Sequence, residues 1–254
     1  MGHTRINLSY MRSAEQYISE HLDTFQSEIF EFLRIPSISA SPEHLHEMGE
    51  AATWLKGMME NSGLEAKIYK TPGNPIVLGE SSKAGGNAPT VLVYGHYDVQ
   101  PPEPLDLWTS PPFEPEIRDG RLYARGSSDD KGQLYLHLKA AEAFLKGVGN
   151  LPINLIVLAE GEEEVGSPNL LPFVKKHSEQ LACDIAVISD TGMMAPGLPS
   201  ILCSLRGLAY FDIEVSGPSS DLHSGVYGGP VVNPALALAQ ILASLQDSKG
   251  KITI

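Results

Sequence analysis

The run Ile153–Ala159 (INLIVLA) is apolar at almost every position. A strand that is apolar on both faces must be buried on both, which places it inside a sheet covered by helices on each side. Two more runs share the character, Thr90–Tyr94 and Asp184–Ile188. Shorter β-rich segments stand at Ala66–Tyr69, Ile76–Gly79, Arg121–Ala124 and Ile201–Leu205. Helical periodicity falls between them. Ile18, Leu22, Phe25, Ile29 and Leu33 share one face of a helix that stops before Pro36. Met48, Ala52, Leu55 and Met59 share another, from about Pro42 to Gly63. Leu134, Leu138, Ala141 and Leu145 mark a third. Strands interleaved with helices predict an α/β domain. The proline-rich stretch Gly95–Gly120 reads as one long, stiffened loop.

Composition narrows the partners. The hydrophobic share of 42% is enough for a core. With 18 basic and 31 acidic residues the formal charge is 18 − 31 = −13. That charge repels phosphate backbones and anionic lipid, so neither nucleic acid nor a membrane is expected as a partner. No secretory leader or membrane span is evident, and Cys183 and Cys203 are too few for a disulfide framework. A soluble, cytoplasmic protein is expected. A domain boundary is expected near Arg206, giving residues 1–206 and 207–254. The later segment reads as a strand at Leu208–Val215, a Gly/Ser-rich loop at Ser216–Pro230, a helix from Asn233 to Leu245 and a strand fragment at Ser248–Ile254. It is too small for a core of its own, so the chain reads as cut within a second domain.

The buried strands run into residues that favour metals. VLVYG leads to His96 and Asp98, INLIVLAEG to Glu162, Glu163 and Glu164, and DIAVIS to Asp190. Asp129 and Asp130 follow the segment RLYARG and precede a helix. In open α/β sheets the ligand site lies at the carboxyl ends of the strands. Several carboxylates meeting there require raised pKa values or a cation between them. Imidazole with carboxylates suits zinc, with cobalt or manganese as substitutes. Each piece also has a plainer explanation by itself. His96 with Asp98 could be a hydrogen-bonded turn, and Asp129–Asp130 or Asp190 could be caps. The glutamates could be a solvated run.

Five segments in order, GHYDVQP, GRLYARGSSDDKGQ, AEGEEEVGS, ISDTG and DLHSGVYGG, resemble the dinuclear-metal peptidases and deacylases. That family includes carnosinase, cytosolic non-specific dipeptidase, glutamate carboxypeptidase, aminoacylase-1, acetylornithine deacetylase and succinyl-diaminopimelate desuccinylase. The resemblance runs from Met11 to the last residue and favours the dipeptidase branch. It implies a three-layer zinc-peptidase-like catalytic domain with a mostly parallel mixed sheet, followed by the start of an α+β lid and dimerisation domain. It also implies two divalent metal ions, most simply zinc, and hydrolysis of a dipeptide or an N-acyl amino acid. A homodimer formed through the lid domain is implied as well. Carried over by motif, His96 and Asp190 hold one metal and Glu164 the other. Asp129 bridges both, with a cis peptide after it. Asp98 orients the imidazole of His96, Glu163 is the general base, and His223 reaches a partner subunit's substrate. The family's last ligand is a histidine near the end of a longer chain. No residue follows Ile254 to supply it, so the resemblance implies activity for the parent and not for the fragment.

Overall fold

The computed structural model describes residues 8–85, 87–198 and 200–253, so the amino-terminal residues 1–7 read for targeting lie outside it. The chain divides into two compact units, Met1–Ser200 and Ile201–Ile254. The first unit begins with α1 (Leu8–Glu20), α2 (Leu22–Arg34) and α3 (Leu45–Asn61). Strands β1 (Glu65–Tyr69), β2 (Ile76–Glu80), β3 (Thr90–His96), β4 (Glu116–Arg118) and β5 (Arg121–Tyr123) follow. Then come α4 (Lys131–Gly147), β6 (Asn154–Glu160), α5 (Leu170–Lys176) and β7 (Ile185–Ile188).

The main sheet has the order β1-β2-β6-β3-β7. β6, β3 and β7 run parallel, while β2 and β1 add in antiparallel sense. Period-two alternation divides the strand residues between two cores. Val77, Val93, Val157 and Ala159 pack with Phe32, Leu55, Leu134 and Leu138 of the helices on one face. Ile76, Leu78, Leu92, Ile156 and Leu158 pack on the other face with Phe173 and Leu181. The apolar run Ile153–Ala159 is therefore buried on both sides, between two helical layers.

Three local readings change. The single early helix is two helices, broken at His21. The ring of His21 stacks on Tyr17 at 4.0 Å, and its Nδ1 lies 2.8 Å from the Tyr17 carbonyl, replacing a backbone partner at the end of α1. The long loop contains a hairpin, β4–β5, turned by Asp119 and Gly120 at φ 49° and 73°. Asp-Gly is the dipeptide that tolerates this turn. In the second unit, neither Ile201–Leu205 nor Leu208–Val215 forms a strand. An alternating pattern supplies a face but not a hydrogen-bonding partner, and Tyr210 and Phe211 are 88% and 81% exposed. That unit contains α6 (Ser224–Tyr227) and α7 (Pro234–Ser244), the latter capped by the Asn233 side chain on the Ala235 N–H. Near its end Gln246 pairs with Ile252 in an isolated bridge. No helix among the described residues is long and apolar enough to cross a membrane.

Candidate metal centre

Strand register assembles the site. His96 pairs with Glu160 across β3–β6, so the 310 turn Glu163–Val165 begins just beyond the imidazole. Tyr94 pairs with Ile188 across β3–β7, and two residues further on, 96 lies beside 190. Asp129 arrives from the start of α4, which packs on β3. His96 Nε2 lies 3.1 Å from Asp129 Oδ1 and 3.7 Å from Asp190 Oδ2. The other ring nitrogen, Nδ1, lies 3.0 Å from the carbonyl of Asp98. Donation there leaves the lone pair of the neutral ring on Nε2, the atom facing the carboxylates.

Asp98 is fully buried and works in two directions. Its Oδ1 is 3.4 Å from His96 Nδ1, so the ring meets the backbone carbonyl more closely than the carboxylate. The carboxylate also accepts the N–H groups of Glu163 and Glu164, at 3.2 and 3.1 Å. One side chain thus ties the histidine strand to the acidic turn. Gln100, two residues on, donates from Nε2 to Glu164 Oε2 at 2.7 Å.

The Asp129–Asp130 peptide is cis. Asp130 precedes α4 at the cap position, yet its side chain makes no cap bond. Its Oδ2 accepts the N–H of His96 at 3.1 Å instead. Lys131 is completely buried, and its Nζ donates to the carbonyls of Phe32 and Ile35 at 3.0 and 2.7 Å, fastening the start of α4 to the end of α2. Burial lowers its pKa to about 7.

The electrostatics are those of crowded carboxylates. Burial, then the charges of Asp190, Asp98 and Asp129, raise the Glu163 pKa against the pull of His96. Burial also raises Glu164, with Asp129 and Glu163 adding to it. Burial and Asp129 raise Asp190. Burial lifts Asp130 to about 7. His96 would be lowered by burial, but the hydrogen bond and charge of Asp98, with Asp130 and Glu163, carry it to about 10.

A divalent cation fits this donor set. His96, Glu163 and Glu164 each present one donor atom, all within 4.8 Å of one another, and so do His96, Asp129 and Asp190. Positive charge relieves oxygen and imidazole donors crowded together. The carboxyls of Glu163, Glu164 and Asp190 are raised by burial first and by neighbouring charges second.

His223 lies in the second unit. Its Nδ1 accepts the Gly225 N–H at 3.0 Å, which leaves the proton of the neutral ring on Nε2. His137 bonds Ser189 Oγ at 2.6 Å, beside Asp190, and His177 stacks on Phe173 at 4.4 Å. Sequence reasoning assigned no role to Gln100, Lys131 or Glu160. Glu160 is buried and accepts from Tyr94 and Ser167 at 2.6 and 2.8 Å. Gln100, Lys131 and Glu160 all sit inside the motif segments, and that adjacency is the only signal for them.

A mostly parallel mixed sheet with carboxylates and one imidazole gathered beyond the carboxyl ends of β6, β3 and β7 defines an α/β domain with a candidate metal centre. The chain belongs to peptidase family M20/M25/M40, whose sequence model matches residues 92–253. The Cys-Gly metallodipeptidase dug1 of Schizosaccharomyces pombe is 36% identical over 257 residues, covering 94% of this chain and 53% of that protein. The Beta-Ala-His dipeptidase of Homo sapiens is 34% identical over 257 residues, covering 94% and 50%. Among solved structures, the M20 family metallo-carboxypeptidase Sso-CP2 from Sulfolobus solfataricus superposes with a TM-score of 0.73 at 35% identity, covering 90% of this chain and 51% of that one. The family read from the five motifs is the family found. This chain spans about half the length of the curated relatives it matches.

Proposed function

We propose that this chain supplies the metal-binding half of a dipeptidase that cleaves the amide bond of small peptides. The observation that carries the reading is the pair of three-donor groups sharing His96 at the ends of β6, β3 and β7. Two zinc ions are the proposed cofactor, one at His96, Asp129 and Asp190 and one at Asp129 and Glu164. When bound, such ions lower the pKa of a shared water and polarise the scissile carbonyl. Glu163 takes the proton of that water and returns it to the leaving amine. Its raised carboxyl is suited to both transfers. Asp98 keeps Glu163 in place through the backbone N–H and holds His96 by its own carbonyl. The substrate class rests on the relatives, which are named for Cys-Gly and Beta-Ala-His. Residues 207–254 are proposed to open a lid domain through which two copies pair. His223 is proposed to offer its Nε2–H to the partner's substrate.

The test combines metal content with turnover. Zinc uptake is measured on this chain. Hydrolysis of a dipeptide panel and an N-acyl amino-acid panel is measured on a chimera carrying it in place of the matching half of the fission-yeast relative. Glu163→Gln is expected to keep its zinc and lose about 10²–10⁴-fold in turnover. Retained turnover would remove Glu163 as the base, and a wild-type chain that holds no zinc would remove the site. Cleavage of the N-acyl panel alone would replace the dipeptidase reading with a deacylase.

A further inference from the structure

The three consecutive glutamates have different fates. Glu163 and Glu164 face the metal centre, whereas Glu162 turns inward and is 6% exposed. Its Oε1 accepts the Asn74 N–H at 2.9 Å, and its Oε2 accepts Asn169 Nδ2 at 2.8 Å. Its backbone carbonyl accepts the N–H groups of Val165 and Ser167. Glu162 therefore closes the turn that presents its two neighbours.

Asn74 belongs to the loop joining β1 to β2, far from every motif. It is 8% exposed, and besides its backbone bond to Glu162 its Nδ2 donates to the Gly161 carbonyl at 2.9 Å. The loop is stiffened internally, because Thr71 Oγ1 donates to the Asn74 carbonyl and accepts the Gly73 N–H. Gly73 has no side chain where one would collide, since a Cβ built there falls on Glu162 Oε1. The next residue, Pro75, accepts the Tyr97 hydroxyl at 2.6 Å, and Tyr97 stands between His96 and Asp98. One loop thus touches both the acidic turn and the histidine segment.

We propose that Asn74 is a positioning residue for the carboxylates of Glu163 and Glu164, acting through Glu162 and Gly161. A short turn has few internal bonds, so the placement of two charged side chains on it depends on outside partners. Losing such partners loosens a metal site without removing a ligand. The inference rests on the metal-centre reading for its purpose but not for its geometry, and its test separates the two.

Asn74→Ala removes the bond to Gly161, and Gly73→Ala displaces Glu162 from the other side of the same contact. For each variant and the wild type, three quantities are measured: thermal midpoint, amide hydrogen exchange, and the visible spectrum and affinity on titration with Co²⁺. Exchange at Glu163 and Glu164 is expected to quicken about tenfold or more while β3 keeps its protection. Cobalt affinity is expected to fall about 10–100-fold, with a changed absorption band. Exchange and spectrum matching the wild type in both variants would overturn the proposal. Equal acceleration in β3 and the turn would overturn it too, by reducing Asn74 to general stability. A wild-type chain that binds no cobalt counts against the proposed function, and exchange then decides the role of Asn74 by itself.

Discussion

The two carboxylate pairs that face His96 are held by different means. Glu163 and Glu164 stand on a turn braced from several sides. Asp98 holds its N–H groups, Glu162 ties it to Asn74 and Asn169, and Glu160 ties it to Ser167. Asp129 and Asp190 have less around them. Asp129 has a side chain 57% exposed and meets His96 at 3.1 Å. Asp190 meets the same nitrogen at 3.7 Å, and its neighbour Ser189 is bonded to His137. One pair is placed by buried hydrogen bonds, the other chiefly by attraction to the imidazole. The braced pair is fixed by contacts away from the imidazole, whereas Asp129 and Asp190 rest on His96 Nε2, the nitrogen that a cation in the proposed site would take.

Removing the ligand proposed for both ions has the largest expected effect. Asp129→Ala should weaken zinc uptake at both sites by more than the roughly 10–100-fold that loss of an outer partner costs. Glu164→Ala and Asp190→Ala should each abolish one equivalent and leave the other near wild type. Calorimetric titration with a zinc count reads this directly. If either carboxylate variant loses both equivalents, the two pairs are one cooperative unit and the contrast fails. Asp98→Asn comes next. It keeps the volume but points an amide N–H₂ at the Glu163 or Glu164 N–H, setting donor against donor. Affinity at the braced pair should drop about 10–100-fold, with a smaller change at the Asp190 side. Equal losses would show that Asp98 acts through the imidazole alone.

The contrast also explains what the sequence could reveal. His96, Asp129, Glu163, Glu164 and Asp190 were legible because each follows an apolar strand or precedes a helix, and parallel register does the rest. β7, expected to be buried, is an edge strand with Ile185 and Ile188 exposed, yet its register still places Asp190 beside His96. The braces were not legible. Asn74 lies in a Thr-Pro-Gly-Asn-Pro turn whose composition announces a bend and nothing about where the bend docks. Glu162 is chemically identical to its neighbours, and only the fold turns it inward. The same limit governs the second unit. Leu208–Val215 alternates as β1 does, but β1 pairs with β2 and the later segment pairs with none among the described residues. Local pattern specifies a face, while pairing is decided by chain far away in sequence.

Acidity should separate the metal-free from the metal-bound chain. Glu163, Glu164 and Asp190 are raised by burial and by one another, Asp130 to about 7 by burial, and His96 to about 10 mainly by Asp98 over the opposing effect of burial. Between pH 7 and 5 the folded chain therefore holds more protons at these groups than the unfolded chain. Its stability from them rises as pH falls. Lys131, lowered to about 7 by burial, and His137, also lowered by burial, act in the opposite sense, Lys131 only near the top of that window, and they are outnumbered by the raised groups. Burial would raise Glu142, but Lys139 and Lys146 hold it below its ordinary range, so it titrates beneath the window. In chelator the melting midpoint should climb from pH 7 to 5, by about 2–4 °C for each kcal/mol gained. With zinc the gain in midpoint should instead shrink over the same interval, because protons compete for the ligands. A zinc-induced shift independent of pH would mean that these carboxylates are not the ligands.

The smallest effect tests the outermost brace. Gln100 is exposed, so Gln100→Ala should leave stability within about 0.5 kcal/mol. Its Nε2 nevertheless holds Glu164 Oε2 at 2.7 Å and lies 3.4 Å from the Glu164 carbonyl. Without it the glutamate side chain regains rotamer freedom that metal binding must remove again. Such freedom is worth about 0.5–1 kcal/mol, or roughly a two- to fivefold loss of affinity, at the Glu164 equivalent alone. The alternative has the opposite sign. If Gln100 competes with the cation for Oε2 rather than steadying it, the same substitution tightens zinc binding. Zinc titration of the variant separates the cases by sign: weaker binding at the Glu164 equivalent marks Gln100 as a brace, and tighter binding marks it as a competitor for Oε2.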